Sequence, residues 1–302
     1  MNIAVVDIGG TAIKYCFYNT QLPFQKENVY EVPTNAQLGG DAVIQVVKKL
    51  LSSMDTFDGI AISTAGQVNP VSGSIIYATD NIPGYTGMQI KNNLEKFFQV
   101  PVIVENDVNA AALGEAAFGA GKDYADFLCL TYGTGIGGAI IINKKIYYGS
   151  SYSAAEMGHL ITHANGLPCT CGNQGCYEAY ASTTALVHAV KVSSGLELSG
   201  RQIFIERKTN PAIESTVIAW IQEIMWGLVS LIHIFNPPCI ILGGGIMNEP
   251  FITDYIKRNI KRYLMKSYRH IEIKQALLGN TAGLQGMIHL AEIGFAERGI
   301  SK

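Results

Sequence analysis

Charge is scarce in this chain: 15% of its 302 residues are Asp, Glu, Lys or Arg, 24 acidic against 22 basic, for a formal net charge of −2. A balance this close to neutral gives no electrostatic footprint for nucleic acid and no polybasic patch for a membrane surface, so neither is expected as a partner. Long hydrophobic runs are also missing. No stretch reads as the roughly 18 consecutive apolar residues that a membrane helix needs. The start, Met1-Asn-Ile-Ala-Val-Val-Asp7, has neither a basic region before an apolar core nor a cleavage site, so it reads as a first strand in a cytoplasmic protein. Low-complexity tracts and long charge runs are absent too. What remains, 48% hydrophobic residues in a chain long enough for two domains, describes a compact globular enzyme.

Cysteine is sparse, with six in all, and it divides into two groups. Cys16, Cys129 and Cys239 sit inside apolar segments, where a free thiol behaves as a small core hydrophobe. The others crowd into Cys169-Thr-Cys171-Gly-Asn-Gln-Gly-Cys176, ten residues after Glu156-Met-Gly-His159. Three thiolates and one imidazole are the donors of a closed tetrahedral zinc site. The glycines of the Gly172-Asn-Gln-Gly175 turn could bring Cys171 and Cys176 back to one point. A disulfide with a spare thiol, or three reduced thiols in a loop, is the plainer alternative, and a cytosolic disulfide is improbable. His163 rivals His159 as fourth ligand but has less slack to reach Cys169.

Short apolar runs ending in glycine recur along the chain: Ile3–Val6 before Asp7-Ile-Gly-Gly-Thr11, Phe127–Leu130 before Thr131-Tyr-Gly-Thr-Gly-Ile-Gly-Gly138, and Ile240–Leu242 before Gly243-Gly244-Gly245. Each reads as a buried strand feeding a loop. The first two match one another, Asp7 against Thr131 and Gly9-Gly10-Thr11 against Gly133-Thr134-Gly135, which suggests an internal duplication into two α/β halves. Helices are predicted over Ala42–Leu51, Gln89–Phe98, Val108–Phe118, Tyr180–Ser194 and Glu214–Phe235, and strands over Gly59–Ser63 and Val102–Val104. Asn19–Lys26 and Leu196–Arg201 read as surface connections. In such an alternation, ligands are expected at the carboxyl ends of strands, where the glycine loops lie.

Gly9, Gly10, Thr11 and Lys14 offer backbone N–H groups, a hydroxyl and a cation directly after a strand, which suits phosphate oxygens. Asp7 could hold Mg²⁺ through water. A tight hairpin turn is the plainer reading of Gly-Gly-Thr alone; three such glycine runs favour a nucleotide. Neither a Walker nor a Rossmann glycine pattern is present. The arrangement looks like the actin-like ATPase fold, with ATP in a cleft between two related domains.

Glu105-Asn106-Asp107-Val-Asn109 places a carboxylate between a strand and a helix. Asp107 could be a helix N-cap or a proton acceptor. With a reference pKa of about 4 and a helix N-terminus beside it, it is expected to stay ionised and to take the proton only as phosphoryl transfer proceeds.

Taken together these motifs resemble the ROK family (repressors, open reading frames and sugar kinases) in order along nearly the whole chain: Asp7-Ile-Gly-Gly-Thr-x2-Lys14, Glu105-Asn-Asp-x-Asn109, Thr131-x-Gly-Thr-Gly-Ile-Gly-Gly138, Glu156-x-Gly-His159, Cys169-x-Cys-Gly-x2-Gly-Cys-x-Glu178 and Leu242-Gly-Gly-Gly245. The resemblance implies a two-domain α/β protein of the actin-like (ribonuclease H-like) class, with residues 1–118 joined by a C-terminal helix over 286–302 in a small domain and 119–285 in a larger one. It implies an ATP-dependent, Mg²⁺-using sugar kinase acting on a 6-hydroxyl, with Asp107 as base. Asn106, Asp107, Glu156, His159 and Glu178 would bind sugar hydroxyls; Gly66 and Asn81 match sugar-contacting loops more loosely, with Ala65-Gly66 where family members often have Pro-Gly. His159, Cys169, Cys171 and Cys176 would bind structural Zn²⁺, and a homodimer is common in the family. Glucose, N-acetylmannosamine and β-glucosides remain open as substrates. Tyr85 could stack on a sugar or its aglycone, though an exposed loop tyrosine is the plainer reading. A sugar-responsive repressor would need a DNA-binding region for which the six residues before Asp7 leave no room; a catalytically silent sugar sensor is the other alternative.

Overall fold

The computed structural model describes residues 1–297. The chain divides into two compact units, Met1–Lys122 with Lys145–Ala154 and Asn280–Lys302, and Asp123–Lys144 with Ala155–Gly279. Residues 298–302 of the expected terminal helix lie outside the described residues.

In the first unit, β1 (Asn2–Ile8) and β2 (Ala12–Asn19) form an antiparallel hairpin. β1 pairs in parallel with β4 (Gly59–Thr64), β4 in parallel with β7 (Val102–Asn106), and β3 (Tyr30–Pro33) runs beside β2, giving the order β3-β2-β1-β4-β7. The near-continuous apolar reading of β1 follows from burial of both its faces. Ala4, Val6 and Ile8 join a cluster with Val43, Val47 and Leu51 of α1 (Gly40–Ser52) and Leu94 of α2 (Ile90–Phe98). Ile3 and Val5 face the other way, onto Leu284, Met287 and Phe295 of α9 (Ala282–Glu297). α3 (Asp107–Phe118) lies against α9 backbone to backbone: a Cβ on Gly286 would sit 1.7 Å from the Ala110 carbonyl oxygen. A two-stranded ribbon, β5 (Gln67–Asn69) and β6 (Ser74–Tyr77), and the short β10 (Lys145–Ile146) complete the strands of this unit.

The second unit repeats the plan. β8 (Phe127–Tyr132) and β9 (Ile136–Ile142) form the hairpin, β8 pairs in parallel with β11 (Cys239–Gly243), and β11 with β12 (Glu272–Gln275). Its core is built around α7 (Pro211–Phe235), whose Val217, Trp220, Ile221, Ile224, Leu228 and Leu231 are all buried. Polar residues (Glu214, Gln222, Glu223) interrupt its apolar run, yet α7 is long and apolar enough to cross a membrane by length and composition. Its buried face places it as a core helix.

Three expectations are corrected. The helix predicted over Tyr180–Ser194 is two, α4 (Glu178–Ala181) and α5 (Thr183–Ser194), broken at Ser182, which adopts extended backbone (φ −72°, ψ 166°) and caps α5 through the Ala185 N–H. The supposed connection at Leu196–Arg201 runs into α6 (Gly200–Glu206), started by a reciprocal Ser199–Gln202 capping box. Basic residues are also less evenly spread than the net charge suggests. Lys257, Arg258, Lys261, Arg262, Lys266, Arg269 and Lys274 fall within residues 257–274, which run from the end of α8 (Pro250–Asn259) to β12 and hold a single carboxylate, Glu272.

Candidate active site

The first unit gathers its candidate residues at the carboxyl ends of β1, β4 and β7. Asp7 lies across from Lys14 on β2 and Ser63 on β4, and accepts a 2.8 Å hydrogen bond from the Ser63 hydroxyl. Burial raises its pKa above the usual carboxylate range, with Ser63 and Lys14 opposing. Gly9-Gly10-Thr11 is a tight hairpin turn: the Gly9 N–H donates to the Ala12 carbonyl (3.0 Å), and Thr34, fully buried, donates its hydroxyl to the Gly9 carbonyl (2.6 Å) and its N–H to that of Thr11 (3.0 Å). Thr11 and Gly10 remain exposed. The hairpin and the phosphate-cradle readings are thus compatible, since the turn leaves its outer backbone open.

Asp107 is not the N-cap of α3. Asn106 is: its side-chain oxygen accepts from the N–H groups of Val108 (2.9 Å) and Asn109 (3.0 Å), while its amide donates to the Gly66 carbonyl and to Asp107 Oδ1, both at 2.9 Å. Asp107, at the first helical position, also accepts from Val108 N–H at 2.9 Å. The expectation of an ordinary acid fails as well. Burial, and then the neighbouring Asp7 carboxylate, push Asp107 up to about 7, outweighing the hydrogen bonds that favour its anion. Beneath it lies Glu105, fully buried, accepting from Tyr148 Oη (2.6 Å), Asn109 Nδ2 (3.0 Å) and the Asn106 N–H (2.8 Å). Glu105 was overlooked as a support, although a charged residue inside an otherwise apolar strand signals one.

Gly66 has φ 94°, where a Cβ would meet the Tyr77 carbonyl oxygen at 3.0 Å, so only glycine presents its carbonyl to Asn106 at low cost. Asn81 is exposed and makes no hydrogen bond to Asn106, Asp107 or Gly66 among the described residues. Tyr85 overturns both of its readings: it is 1% exposed, and its hydroxyl lies 2.7 Å from Thr64 Oγ1. Its ring belongs to the core cluster with Ile82 and Ile90; the surrounding Gly84 and Gly87 turns fold it inward.

In the second unit, the donor atoms of His159, Cys169, Cys171 and Cys176 all lie within 4.8 Å of one another. His159 presents Nδ1 to Cys169 Sγ (3.6 Å) and Nε2 to Glu156 Oε2 (3.9 Å), so one ring nitrogen faces the thiols and the other a carboxylate. His163 stands aside, stacked on Tyr180 (3.9 Å between ring centroids) with Nε2 3.6 Å from Glu223. The donor set fits zinc by its chemistry, and the loop is shaped for it. Gly175, at φ 78°, lies where a Cβ would fall 1.7 Å from the His163 carbonyl oxygen, and the Asn173 N–H, donating to Cys171 Sγ, lowers that thiol to about 7. None of the six cysteines forms a disulfide, and Cys16, Cys129 and Cys239 are core residues.

Glu178, at the start of α4, directs Oε1 to Cys169 Sγ (3.3 Å) and accepts at Oε2 from the Ile136 N–H (3.3 Å). The second glycine loop is further tied by Thr183 N–H to the Gly133 carbonyl and by Thr184 Oγ1 to that of Thr134, both 2.9 Å. Gly243-Gly244-Gly245 is brought beside it, with Gly243 in register with Thr131 and Gly244 (φ 95°) set where a Cβ would fall 2.1 Å from the Tyr132 carbonyl oxygen.

The chain as a whole is similar to known proteins. The chain is 33% identical to a glucokinase of Streptomyces coelicolor, over 95% of this chain and 96% of that one. It is 33% identical to a β-glucoside kinase of Listeria monocytogenes, over 96% and 97%. Its fold superposes with a TM-score of 0.83 on a ROK family glucokinase from Streptomyces griseus in complex with glucose and AMPPNP, 31% identical, covering 97% of this chain and all of that one. The fold is therefore that of the actin-like ATPases, and the ROK family pattern matches residues 3–293. The chain belongs to the ROK family.

Proposed function

We propose that this chain is an ATP-dependent sugar kinase that transfers the γ-phosphoryl group to the 6-hydroxyl of a hexose or hexose derivative, with Asp107 as base. The observation that carries the reading is the Asp107 carboxylate: it is oriented by Asn106 and the Val108 N–H, and its proton affinity is raised to about 7, where a general base is most effective. The sugar oxygen forms the new bond to the γ-phosphorus as the bond to the β–γ bridging oxygen breaks; the hydroxyl proton passes to Asp107, and ADP leaves. In this chemistry most of the rate comes from positioning and charge neutralisation.

Asp7, held by Ser63, would carry Mg²⁺ through water, and that ion, when bound, neutralises phosphate charge. Gly9, Gly10, Thr11 and Lys14 in the first unit, and Gly133–Gly135 with Gly243–Gly245 in the second, would bind nucleotide. Asn106, Gly66 and Asn81 in the first unit, and Glu156, His159 and Glu178 in the second, would bind sugar. His159, Cys169, Cys171 and Cys176 would hold structural Zn²⁺, fixing the His159 tautomer so that Nε2 stays free for substrate. A homodimer and a cytoplasmic location complete the reading, which the similarity to glucokinases and β-glucoside kinases supports. Coupled ADP release tests it, with glucose, N-acetylmannosamine and cellobiose each offered against a no-sugar control. ADP formation that depends on at least one sugar is expected, and a rate equal with and without every sugar overturns it.

A further inference from the structure

We propose that the Cys₃His cluster anchors the second glycine loop, so that a metal ion held there raises the affinity of this chain for nucleotide even when no sugar is present. The inference rests on the reading of Gly133–Gly135 as a nucleotide loop.

The segment that follows the last candidate ligand, Cys176, touches nearly every residue of that hairpin in turn. Tyr177, fully buried, places its hydroxyl 2.8 Å from that of Tyr132 and donates to the Ile224 carbonyl at 2.8 Å. Gly227 on α7 makes the room, since a Cβ there would lie 2.3 Å from the Tyr177 ring. Glu178 Oε2 receives the Ile136 N–H, Thr183 N–H reaches the Gly133 carbonyl, and Thr184 Oγ1 reaches that of Thr134. A Cβ on Gly135 would fall 2.5 Å from Glu178 Oε2, so the loop and this carboxylate are in close contact.

The same carboxylate reaches the other way, with Oε1 3.3 Å from Cys169 Sγ, 3.4 Å from Thr170 Oγ1 and 3.9 Å from His159 Nδ1. Glu178 therefore cannot reorient toward the cluster without releasing Ile136. The Cys169–Cys176 loop that positions it has little support of its own. It has no helix or strand, Cys171 is exposed, and only two backbone hydrogen bonds close within it, from Cys169 N–H to the Asn173 carbonyl and from Gly172 N–H to the Cys169 carbonyl, while Gly175 is tied outward, donating to Leu167 and accepting from Thr162 and His163. Four donors joined through one ion would order that loop. A hairpin already ordered has less conformational freedom to lose when nucleotide binds. Linkage makes the effect reciprocal, so nucleotide should tighten metal binding by the same factor.

Calorimetric titration of the full chain with Mg²⁺ and AMPPNP, without sugar, tests this on protein loaded with one zinc ion and on protein stripped by a chelator under reducing conditions and then freed of it. Stripping should weaken nucleotide affinity three- to tenfold, and zinc re-addition should restore it. Glu178→Ala in loaded protein should show a similar loss, with no further loss on stripping. Glu178→Gln, which keeps an acceptor for the Ile136 N–H, should stay within twofold of the parent. Zinc affinity in competition with a chromophoric chelator should rise with saturating AMPPNP by the factor found for stripping. If affinity is equal with and without metal, or if the losses from stripping and from Glu178→Ala multiply, the coupling is overturned. Should stripping unfold the chain, the loaded Glu178→Ala and Glu178→Gln proteins decide: equal affinity in both overturns it. Failure of the loaded parent to bind AMPPNP at all overturns the kinase reading itself, whereas binding that ignores the metal overturns only the coupling.

Discussion

The two glycine hairpins occupy equivalent places in duplicated sheets but are held by different means. The first, between β1 and β2, is closed by its own sheet: Thr34, just beyond β3, bonds Gly9 and Thr11, and every partner is neutral. The second, between β8 and β9, is held by residues 177–184, a segment that leaves a cluster of metal ligands and includes a carboxylate. The two sheets share their strand order and their turn and differ in what supports them. The strands next to them differ as well. β7 ends at Asn106 and hands the chain to Asp107, while its counterpart β12 ends at Gln275 and is followed by Ala276, with no carboxylate. The first half carries the acid, and the second carries the metal ligands.

Removing the acid should give the largest effect. Asp107→Asn keeps an acceptor for Val108 and Asn106 and should still lower turnover by about 10²–10⁴-fold, measured with saturating ATP and sugar, while nucleotide affinity survives. In the parent, kcat/KM should rise with pH and level off above about 7, because the base must be unprotonated. The stability sign is opposite. The folded chain holds the Asp107 proton more tightly than the unfolded chain, so this residue's contribution falls as pH rises from about 4 through about 7. Asp107→Asn should therefore be more stable than the parent at pH 8, on the order of 1–2 kcal/mol after allowing for screening of a partly exposed group, and no different below pH of about 4. Retained turnover removes Asp107 as base; a loss of stability at pH 8 removes the account of its pKa.

Breaking the second half's anchor comes next. Cys171→Ser should lose metal, seen by elemental analysis, and weaken sugar binding through His159 and Glu178 by about tenfold, the scale of a lost metal support. A native chain that purifies without zinc, or a variant with unchanged sugar affinity, breaks the contrast between a metal-supported and a sheet-supported half.

A smaller effect separates the turns themselves. A Cβ at Gly135 falls 2.5 Å from Glu178 Oε2, whereas one at Gly10 meets nothing within 4 Å. Gly135→Ala should cost about 1 kcal/mol of stability, as the Glu178 carboxylate shifts and its hydrogen bond from Ile136 is lost, while Gly10→Ala should change it by less than about 0.5 kcal/mol. Equal melting temperatures for the two variants would mean that Glu178 does not press on the loop.

Much of this contrast was legible in the sequence and some of it was not. The buried runs Ile3–Val6, Phe127–Leu130 and Ile240–Leu242 read as strands because burial on both faces leaves an unbroken apolar signature. The metal ligands stood out because three thiols within eight residues have few other uses. Supports were harder to find. Thr34, Ser63 and Thr183 are common residues whose role comes from a partner distant in sequence, and no spacing rule reaches that far. Asp107's pKa is raised first by burial and then by Asp7, 100 residues away, neither of which is visible in its local sequence, so a reference value misled. Tyr85 looked exposed because glycine-rich turns are usually polar, yet here they let a core ring return to Thr64. In one case the signal was present: Ser199-Gly-Arg-Gln202 is a capping-box pattern, and it does begin α6.

The finest test of the comparison is Thr34→Val. The substitution removes the hydroxyl that donates to the Gly9 carbonyl at a fully buried position and leaves the shape nearly unchanged, so it should cost about 1 kcal/mol, the usual value of one hydrogen bond whose acceptor is left unpaired. If the first hairpin is supported by its own sheet, this loss is independent of the metal. Stripping zinc and substituting Thr34 should then add in their effects on nucleotide affinity to within about 0.5 kcal/mol, as separate sites do. The corresponding pair in the second half, stripping and Glu178→Ala, should not add. Additivity in one half and its failure in the other would place the metal's influence inside one copy of the duplicated fold. A coupling energy well above that limit for Thr34 would show that the two hairpins share a support that the hydrogen-bond pattern does not contain.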